Sequence, residues 1–217
     1  ALEIRQQVLG EAHPDVANTL NNLGIACGKL GRVDDAIYHL ERALEIRAKH
    51  YGTRTHVECA ATLHNIGNVL AQAQDRAGAI QCFWDAKLIS EDLLGENHIQ
   101  VGRACVAIGN VYYEALQYED AREAYYDALQ VFANAGLPST HCEVLAIQQD
   151  IQEIESMCAA AVHAHHHQYP VAPFHHQHHP PQSYGSNAVQ QEQYQLHQQH
   201  PHPIYYPHMS YSSPPSS

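Results

Sequence analysis

Apolar side chains recur along residues 1–158 in paired stripes of helical spacing, and a short polar or glycine-containing break separates the two stripes of each pair. Apolar positions three and four residues apart are typical of amphipathic α-helices. Pro14 followed by Asp15 suits the first turn of a helix, and Gly52 suits the end of one. The predicted helices span residues 1–9, 14–30, 33–50, 55–73, 76–94, 98–115, 118–135 and 140–161. The pattern therefore predicts an all-α fold.

Two of the predicted helix starts also carry a capping signal. Glu58 follows Thr55 by three residues, and Glu143 follows Thr140 by the same interval. In a capping box, the two side chains exchange hydrogen bonds with each other's backbone amides. We therefore predict capping boxes at both positions.

The pattern repeats with a nearly fixed period. Gly24, Gly67 and Gly109 lie 43 and then 42 residues apart, each at the end of a similar stretch such as Thr-Leu-Asn-Asn-Leu-Gly. This period predicts a solenoid, in which helical hairpins stack because no hairpin can bury its apolar face alone. The predicted units are 1–13 (the second helix of a truncated repeat), 14–53, 54–96 and 97–137 (repeats one to three), 138–162 (a C-terminal capping helix) and 163–217 (a tail). Since the pattern is already under way at Ala1, the chain looks like the C-terminal fragment of a longer protein.

The three glycines lie in the middle of predicted helices, where glycine costs about 1 kcal/mol relative to alanine. This cost is tolerable where a neighbouring helix crosses closely. One equivalent site in the helix that follows each glycine holds a large residue, which is Leu40, Phe83 or Tyr125. We predict that these three side chains fill the core rather than bind a ligand.

The positions of small and large residues resemble a known family. A bulky residue is followed by an aliphatic residue and glycine three and four positions later, and alanine follows twelve and nineteen positions after the glycine. The residues in this pattern are Leu20, Leu23, Gly24, Ala36 and Ala43, then Leu63, Ile66, Gly67, Ala79 and Ala86, then Cys105, Ile108, Gly109, Ala121 and Ala128. The pattern is similar to the tetratricopeptide repeat. The period of about 42 residues, with strings such as Ala-Leu-Glu-Ile-Arg, resembles the kinesin light chain variety.

The resemblance implies a right-handed α-solenoid whose first helices line a concave groove that binds peptides. The residues that it places in the groove are Asn18, Asn21, Asn22, Ile25, Lys29, His64, Asn65, Asn68, Gln72, Arg103, Asn110, Tyr113 and Glu114. Asn and Gln suit this role because each offers donors and an acceptor to an extended peptide backbone. An alternative for Asn22 and Asn65 is that they brace the turn between helices.

The family also implies two narrower hypotheses. Chaperone-binding tetratricopeptide domains hold a C-terminal carboxylate with Lys, Asn and Arg side chains. The matching positions here are Asn21, Ile25, Asn65, Arg103 and Ala107. We exclude a chaperone adaptor, because the paired cations that neutralise the carboxylate are missing. Kinesin light chains receive acidic, aromatic cargo peptides on basic groove residues. This predicted groove has little positive charge beyond Lys29 and Arg103, which argues against the same cargo preference.

Charge and cysteine usage narrow the partners and the compartment. Residues 1–158 hold all 11 Lys and Arg and 22 of the 23 Asp and Glu, a formal charge of −11. This balance argues against nucleic acid and against anionic membrane surfaces, since both need clustered cations. No apolar run approaches the roughly 20 residues of a membrane span.

The six Cys show neither a C-x-x-C pair nor metal-ligand spacing, which favours free buried thiols in a reducing compartment and hence the cytoplasm.

No sequence motif points to catalysis. The chain contains no nucleophile elbow, phosphate-binding loop, H-E-x-x-H sequence or dinucleotide fingerprint. Adjacent acids such as Asp34 and Asp35 suit helix starts better than acid–base chemistry. We therefore predict no enzymatic activity, no cofactor and no metal.

The predicted function is a scaffold that binds partner proteins, with kinesin light chain-like cargo adaptation as one version. The alternative is a regulatory or targeting array attached to an upstream enzymatic or signalling domain.

The predicted tail, residues 163–217, differs in composition from everything before it. It holds 12 of the 19 His and nine of the 11 Pro. We predict that it is disordered, because it has too little apolar surface to offset the entropy of ordering. Two hypotheses for the tail are loose binding of Zn, Ni or Cu ions by the His runs and self-association through Tyr, Gln and His. The favoured hypothesis is that the tail is a plain spacer.

Overall fold

The computed structural model describes residues 2–168, and side chains within residues 2–160. This part of the chain forms eight α-helices and no β-strand. The helices are α1 (Leu2–Leu9), α2 (Pro14–Lys29), α3 (Val33–Tyr51), α4 (Val57–Gln72), α5 (Arg76–Leu94), α6 (Ile99–Glu114), α7 (Tyr118–Asn134) and α8 (Cys142–Gln168). The chain divides into two units, Ala1–Pro170 and Val171–Ser217. The second unit lies outside the described residues. Nearly all of the predicted tail also lies there, so the three hypotheses for the tail fall outside the described residues.

The helices stack in chain order. The most extensive packing joins α2 with α3, α4 with α5, and α6 with α7, and each of these hairpins packs on the next through α3–α4 and α5–α6. The first helices of successive hairpins also touch, α2 on α4 and α4 on α6. This succession confirms the predicted all-α solenoid. The helix limits agree with the sequence pattern to within two residues, except that α8 continues beyond residue 161 to Gln168.

Four of the helices begin with the same histidine cap. The Nδ1 atom of each histidine accepts a hydrogen bond from the backbone amide two residues later, at 3.1–3.3 Å. The capping residues are His13 before α2, His56 before α4, His98 before α6 and His141 before α8. The predicted capping boxes are therefore wrong. Each threonine lies one residue too early, and the imidazole after it reaches the amide of the second helical residue.

The turn inside each hairpin needs a left-handed backbone at one position. Gly31 has a φ of 73° there, and the equivalent residues of the next two repeats, Gln74 and Leu116, have φ values of 65° and 61°. A residue with a Cβ atom costs roughly 1–2 kcal/mol in this conformation, whereas glycine adopts it freely. The second and third turns are therefore strained, and the first is not.

We expect Leu116→Gly to raise the free energy of unfolding by about 0.5 kcal/mol. The strain relieved, roughly 1–2 kcal/mol, exceeds the cost of up to about 1 kcal/mol for the extra freedom of glycine in the unfolded chain. Leu116 is 71% exposed, so little packing is lost. Urea unfolding of the full chain measures the change. Leu30→Gly is the matched control, because Leu30 is 74% exposed but has a φ of −91°, and it should destabilise the protein.

The core forms where glycine on one helix faces a large side chain on the next. A Cβ atom placed on Gly24, Gly67 or Gly109 would lie 2.6 Å from the side chain of Leu40, Phe83 or Tyr125 respectively. These three large residues are at most 2% exposed. The prediction that they fill the core is confirmed. The close approach explains why glycine is kept in mid-helix despite its cost.

A buried arginine joins the first repeat to the second. Arg47 on α3 is 7% exposed, and its guanidinium donates to Asn18 Oδ1 at 2.7 Å, to the Glu58 carbonyl at 2.9 Å and to the Thr62 hydroxyl. Its Nε atom lies 3.3 Å from the Glu58 carboxylate, as an ion pair. These contacts connect α2, α3 and α4. They fix the angle at which two repeats meet, and hence the shape of the surface that α2 and α4 share.

The same arrangement occurs one repeat earlier and is absent one repeat later. Arg5 on α1 donates to the Thr19 hydroxyl at 2.6 Å and to the Asp15 carbonyl at 3.4 Å. At the interface between the second and third repeats, Ser90 and Ala104 occupy the positions of Arg47 and Thr62. The Ser90 hydroxyl donates to the Ala86 carbonyl of its own helix at 2.8 Å, so these two described residues form no polar link between the repeats.

Candidate peptide-binding groove

A cavity of about 380 Å³ lies between α2, α4 and α6. These three are the first helices of successive hairpins, and Phe83 of α5 also reaches the cavity. Seven of the residues that the sequence places in the groove line it: Ile25, Lys29, Asn65, Asn68, Gln72, Asn110 and Glu114. We call this cavity and the first-helix surfaces on either side of it the groove.

Equivalent positions of the three repeats form two rows along the groove. One row is Ile25, Asn68 and Asn110, and the other is Lys29, Gln72 and Glu114. The second row changes from a cation to a neutral amide to an anion. The groove therefore has neutral amides at its centre and charges of opposite sign toward its two ends.

Two hydrogen bonds orient amide groups beside the cavity. The Asn65 side chain donates from Nδ2 to Asn21 Oδ1 at 3.1 Å, which links α4 to α2. The Tyr125 hydroxyl donates to Asn110 Oδ1 at 2.8 Å. Burial raises the pKa of Tyr125 well above its usual range, so this hydroxyl keeps its proton and remains a donor. Asn110 consequently offers its NH₂ group to the groove, and Asn65 offers its carbonyl oxygen.

Three polar side chains of the lining have no such partner. Lys29, Asn68 and Gln72 make no side-chain hydrogen bond or ion pair within the described part of the chain, and all three are exposed. Polar groups on a concave surface that bind nothing internally are free to bind a ligand.

The other six predicted groove residues lie outside the cavity. Asn18 is held by Arg47, Asn21 accepts from Asn65, and Asn22 is exposed on α2. Arg103 donates two hydrogen bonds to the Glu143 carboxylate of α8, at 2.8 and 3.2 Å. His64 and Tyr113 complete the six, and each has a distinct environment.

His64 is half-buried against the ring of Phe83, with the ring centroids 5.0 Å apart. It lines a second cavity of about 300 Å³ between α4, α5 and α6. Burial, and then the positive charge of Arg103, hold the pKa of His64 below its ordinary value. Protonation of His64 therefore favours the unfolded state, in which the imidazole is hydrated.

This environment predicts a pH dependence of stability. A histidine whose pKa is lower in the folded state stabilises the fold above its unfolded pKa of about 6.5, and this contribution is lost as the pH falls below that value. We expect the free energy of unfolding to fall less between pH 7 and pH 5 in His64→Gln than in the wild type. Urea unfolding at each pH measures the difference, and the other histidines cancel because both proteins contain them. Parallel pH curves would contradict the assignment.

The end of the groove beside α8 is acidic. The carboxylate of Glu153 on α8 lies near the Tyr113 hydroxyl of α6 and raises the pKa of Tyr113. Burial, and then the charge of Glu153, raise the pKa of Asp150 above its ordinary value. Sequence reasoning missed Asp150 and Glu153 because it treated α8 as a cap. The signal was His141, which follows His98 by 43 residues and makes α8 the next helix in the series α2, α4 and α6.

The described residues contain neither a candidate metal site nor a candidate membrane-spanning helix. No group of three or more His, Cys, Asp or Glu side chains among residues 2–160 could hold a metal ion. No helix in the described part of the chain combines the length and the apolar character that crossing a bilayer demands.

Sequence comparison assigns the family. The profile described as "Tetratricopeptide repeat" matches residues 1–49 and 58–134, more than half of the chain. The chain therefore belongs to the tetratricopeptide-repeat family. Within that family, its repeats are similar to those of kinesin light chain-related proteins.

Protein KINESIN LIGHT CHAIN-RELATED 3 of Arabidopsis thaliana is 28% identical over 115 residues, which are 53% of this chain and 18% of that protein. A clustered mitochondria protein homolog of Xenopus tropicalis is 30% identical over 91 residues, 42% of this chain and 7% of that protein. The chain thus spans less than a fifth of the length of these relatives. The crystal structure of a putative kinesin light chain of Podosopora anserina with TPR-like repeats is 20% identical. It has a TM-score of 0.57 and covers 65% of this chain and 66% of that one.

Proposed function

We propose that this protein-interaction scaffold binds an extended peptide segment of a partner protein in the groove. The observation that carries the proposal is the set of amides that lines one cavity across three repeats, two of them held by internal hydrogen bonds and two without internal partners. A pocket of this size with a few oriented polar groups suits a ligand better than an open surface does.

The amides match the needs of an extended backbone. Such a backbone presents N–H donors and C=O acceptors that must be satisfied when water is displaced. Asn110 offers a donor and Asn65 an acceptor, while Asn68 and Gln72 can do either. None of these amide groups carries a charge that would select among ligand side chains. The centre of the groove therefore binds peptide backbone, and the charged ends determine selectivity.

We infer that the chain performs no chemistry of its own and functions in a reducing compartment, the cytoplasm. Cys27, Cys59, Cys82 and Cys105 are buried free thiols. Burial raises the pKa of Cys82 to about 12 and that of Cys105 to about 11, so neither supplies a thiolate nucleophile near neutral pH. The net negative charge disfavours nucleic acid as a partner.

Similarity to kinesin light chain-related proteins supports cargo adaptation as one version of the proposal. A regulatory or targeting array beside another domain stays a second prediction. Both versions use the groove, and both require a bound segment.

The test is to select peptides from an unbiased display library on the full chain and measure their Kd. Asn68→Ala with Gln72→Ala should weaken binding roughly 5- to 150-fold, because each of the two lost hydrogen bonds contributes about 0.5–1.5 kcal/mol and tenfold corresponds to about 1.4 kcal/mol. The matched control, Gln81→Ala with Asn134→Ala, changes the same residue types on α5 and α7, and its Kd should be unchanged. Equal loss in both variants, or loss in neither, would overturn the proposal.

A further inference from the structure

The groove distributes its charge unevenly. Lys29 lies at the α2 side, without an internal partner, and no carboxylate lines the cavity beside it. Glu114 lies at the α6 side, and Asp150 and Glu153 of α8 continue the acidic surface. The groove therefore has a positive end and a negative end.

No Lys or Arg side chain within residues 2–160 neutralises the acidic end. Arg122 is the last Lys or Arg of the sequence, and it pairs with Glu119 on α7. Arg103, the other nearby cation, is occupied by two hydrogen bonds to Glu143. The carboxylates of Glu114, Asp150 and Glu153 consequently have no cationic partner among the described residues, and a bound cation would supply one.

A tyrosine ring accompanies these acids. Tyr113 lies beside Glu153, is partly exposed and packs edge-on against Tyr118, whereas Tyr125, which is also near Asp150 and Glu114, is buried in the core. Carboxylates beside aromatic rings suit a guanidinium group, which forms forked hydrogen bonds and stacks on ring faces. An ammonium group gains less from both features, so the site favours arginine over lysine.

Helix spacing sets the distance between the two ends. Neighbouring helices pack about 8–10 Å apart. Glu114 on α6 is two helix steps from Lys29 on α2, and Glu153 on α8 is three, which makes roughly 16–30 Å. An extended peptide advances about 3.3 Å per residue. A ligand that reaches both ends therefore needs its two charged side chains about five to nine positions apart.

We infer that the segment bound in the groove carries an arginine for the Glu114, Asp150 and Glu153 end and an acidic residue for Lys29, separated by about five to nine positions. This inference rests on the proposed function and names the chemistry of its partner. It also predicts that peptides with acids throughout bind poorly, because their charge opposes the negative end.

The peptides selected on the full chain provide the test. We expect them to be enriched in one arginine and one acid at that separation, and to lose affinity at least tenfold against Asp150→Asn with Glu153→Gln. The variant keeps the size of both side chains and the acceptor for Tyr113. Asp92→Asn with Glu96→Gln is the control, because it makes the same charge change on exposed positions outside the groove, and its Kd should be unchanged. Lys29→Glu should select against the acidic residue.

The outcomes separate the two proposals. Peptides that depend on Asn68 and Gln72 but carry no arginine, or bind equally to Asp150→Asn with Glu153→Gln, would overturn this inference and leave the groove as the peptide site. Peptides indifferent to Asn68 and Gln72 would overturn the proposed function itself. Self-association of the full chain that Asp150→Asn with Glu153→Gln abolishes would place a second copy in the groove and would also overturn the inference.

Discussion

Arg47→Ala is expected to lower the free energy of unfolding by about 3 kcal/mol. The guanidinium is buried and satisfies Asn18, the Glu58 carbonyl and the Thr62 hydroxyl at once. Its removal leaves buried polar groups without partners, and breaking a buried pair by deleting one member typically costs about 3–5 kcal/mol. We expect the lower end of this range because the Glu58 carboxylate is 39% exposed and can be hydrated once the arginine is removed. Urea unfolding of the full chain measures the loss.

The next interface forms without this network, because Ser90 and Ala104 replace the arginine and threonine there and the Ser90 hydroxyl donates to its own helix. Arg47→Ile with Thr62→Ala, which removes the hydroxyl together with the guanidinium, should therefore recover part of the stability that Arg47→Ala loses. Well-packed apolar residues often replace a buried polar cluster without loss. An Arg47→Ala variant as stable as the wild type would show that the arginine does not join the two repeats.

Gly67→Val is the second substitution with a large expected effect, a destabilisation of about 3 kcal/mol. A Cβ atom at Gly67 would lie 2.6–2.9 Å from three atoms of the Phe83 ring, which is 1% exposed and must shift out of its packed position to make room. Overpacking of this kind usually costs 1–3 kcal/mol, and the branched valine lies at the upper end.

A double-mutant cycle isolates the clash. Phe83→Ala alone should cost about 3–5 kcal/mol because it empties a buried site. Combined with Gly67→Val it should cost less than the sum of the two single changes, because valine then fills part of the vacated volume. Asn68→Ala, the next residue on α4 but exposed toward the groove, is the control and should change stability by less than about 0.5 kcal/mol. Additive effects at Gly67 and Phe83 would contradict the packing described here.

Much of the fold could be predicted because the helical spacing of apolar residues and the repeat period of about 42 residues predict the same helical hairpins. The recurring glycines and the large residues at Leu40, Phe83 and Tyr125 specify which helices cross, and the structure places them in contact. The histidine caps were missed because threonine with glutamate three residues later is the commoner signal. The recurrence of His13, His56, His98 and His141 at nearly the repeat period was available as evidence.

The candidate site was harder to predict than the fold. Repeat position identified first-helix residues such as Asn68 and Gln72, but it could not distinguish a free side chain from one with a partner across the interface. Asn18 and Arg103 occupy equivalent positions, yet one binds Arg47 and the other binds Glu143 of α8. Such contacts depend on long side chains from neighbouring helices, and no local pattern encodes them.

Backbone amide chemical-shift mapping by NMR tests the central claim most directly. The full chain would be labelled with ¹⁵N and titrated with a peptide selected on it. The account predicts that the shifts cluster on α2, α4 and α6 around Asn68, Gln72 and Asn110, and extend to Asp150 on α8. Shifts centred on α3, α5 and α7, on the other side of the hairpins, would contradict it.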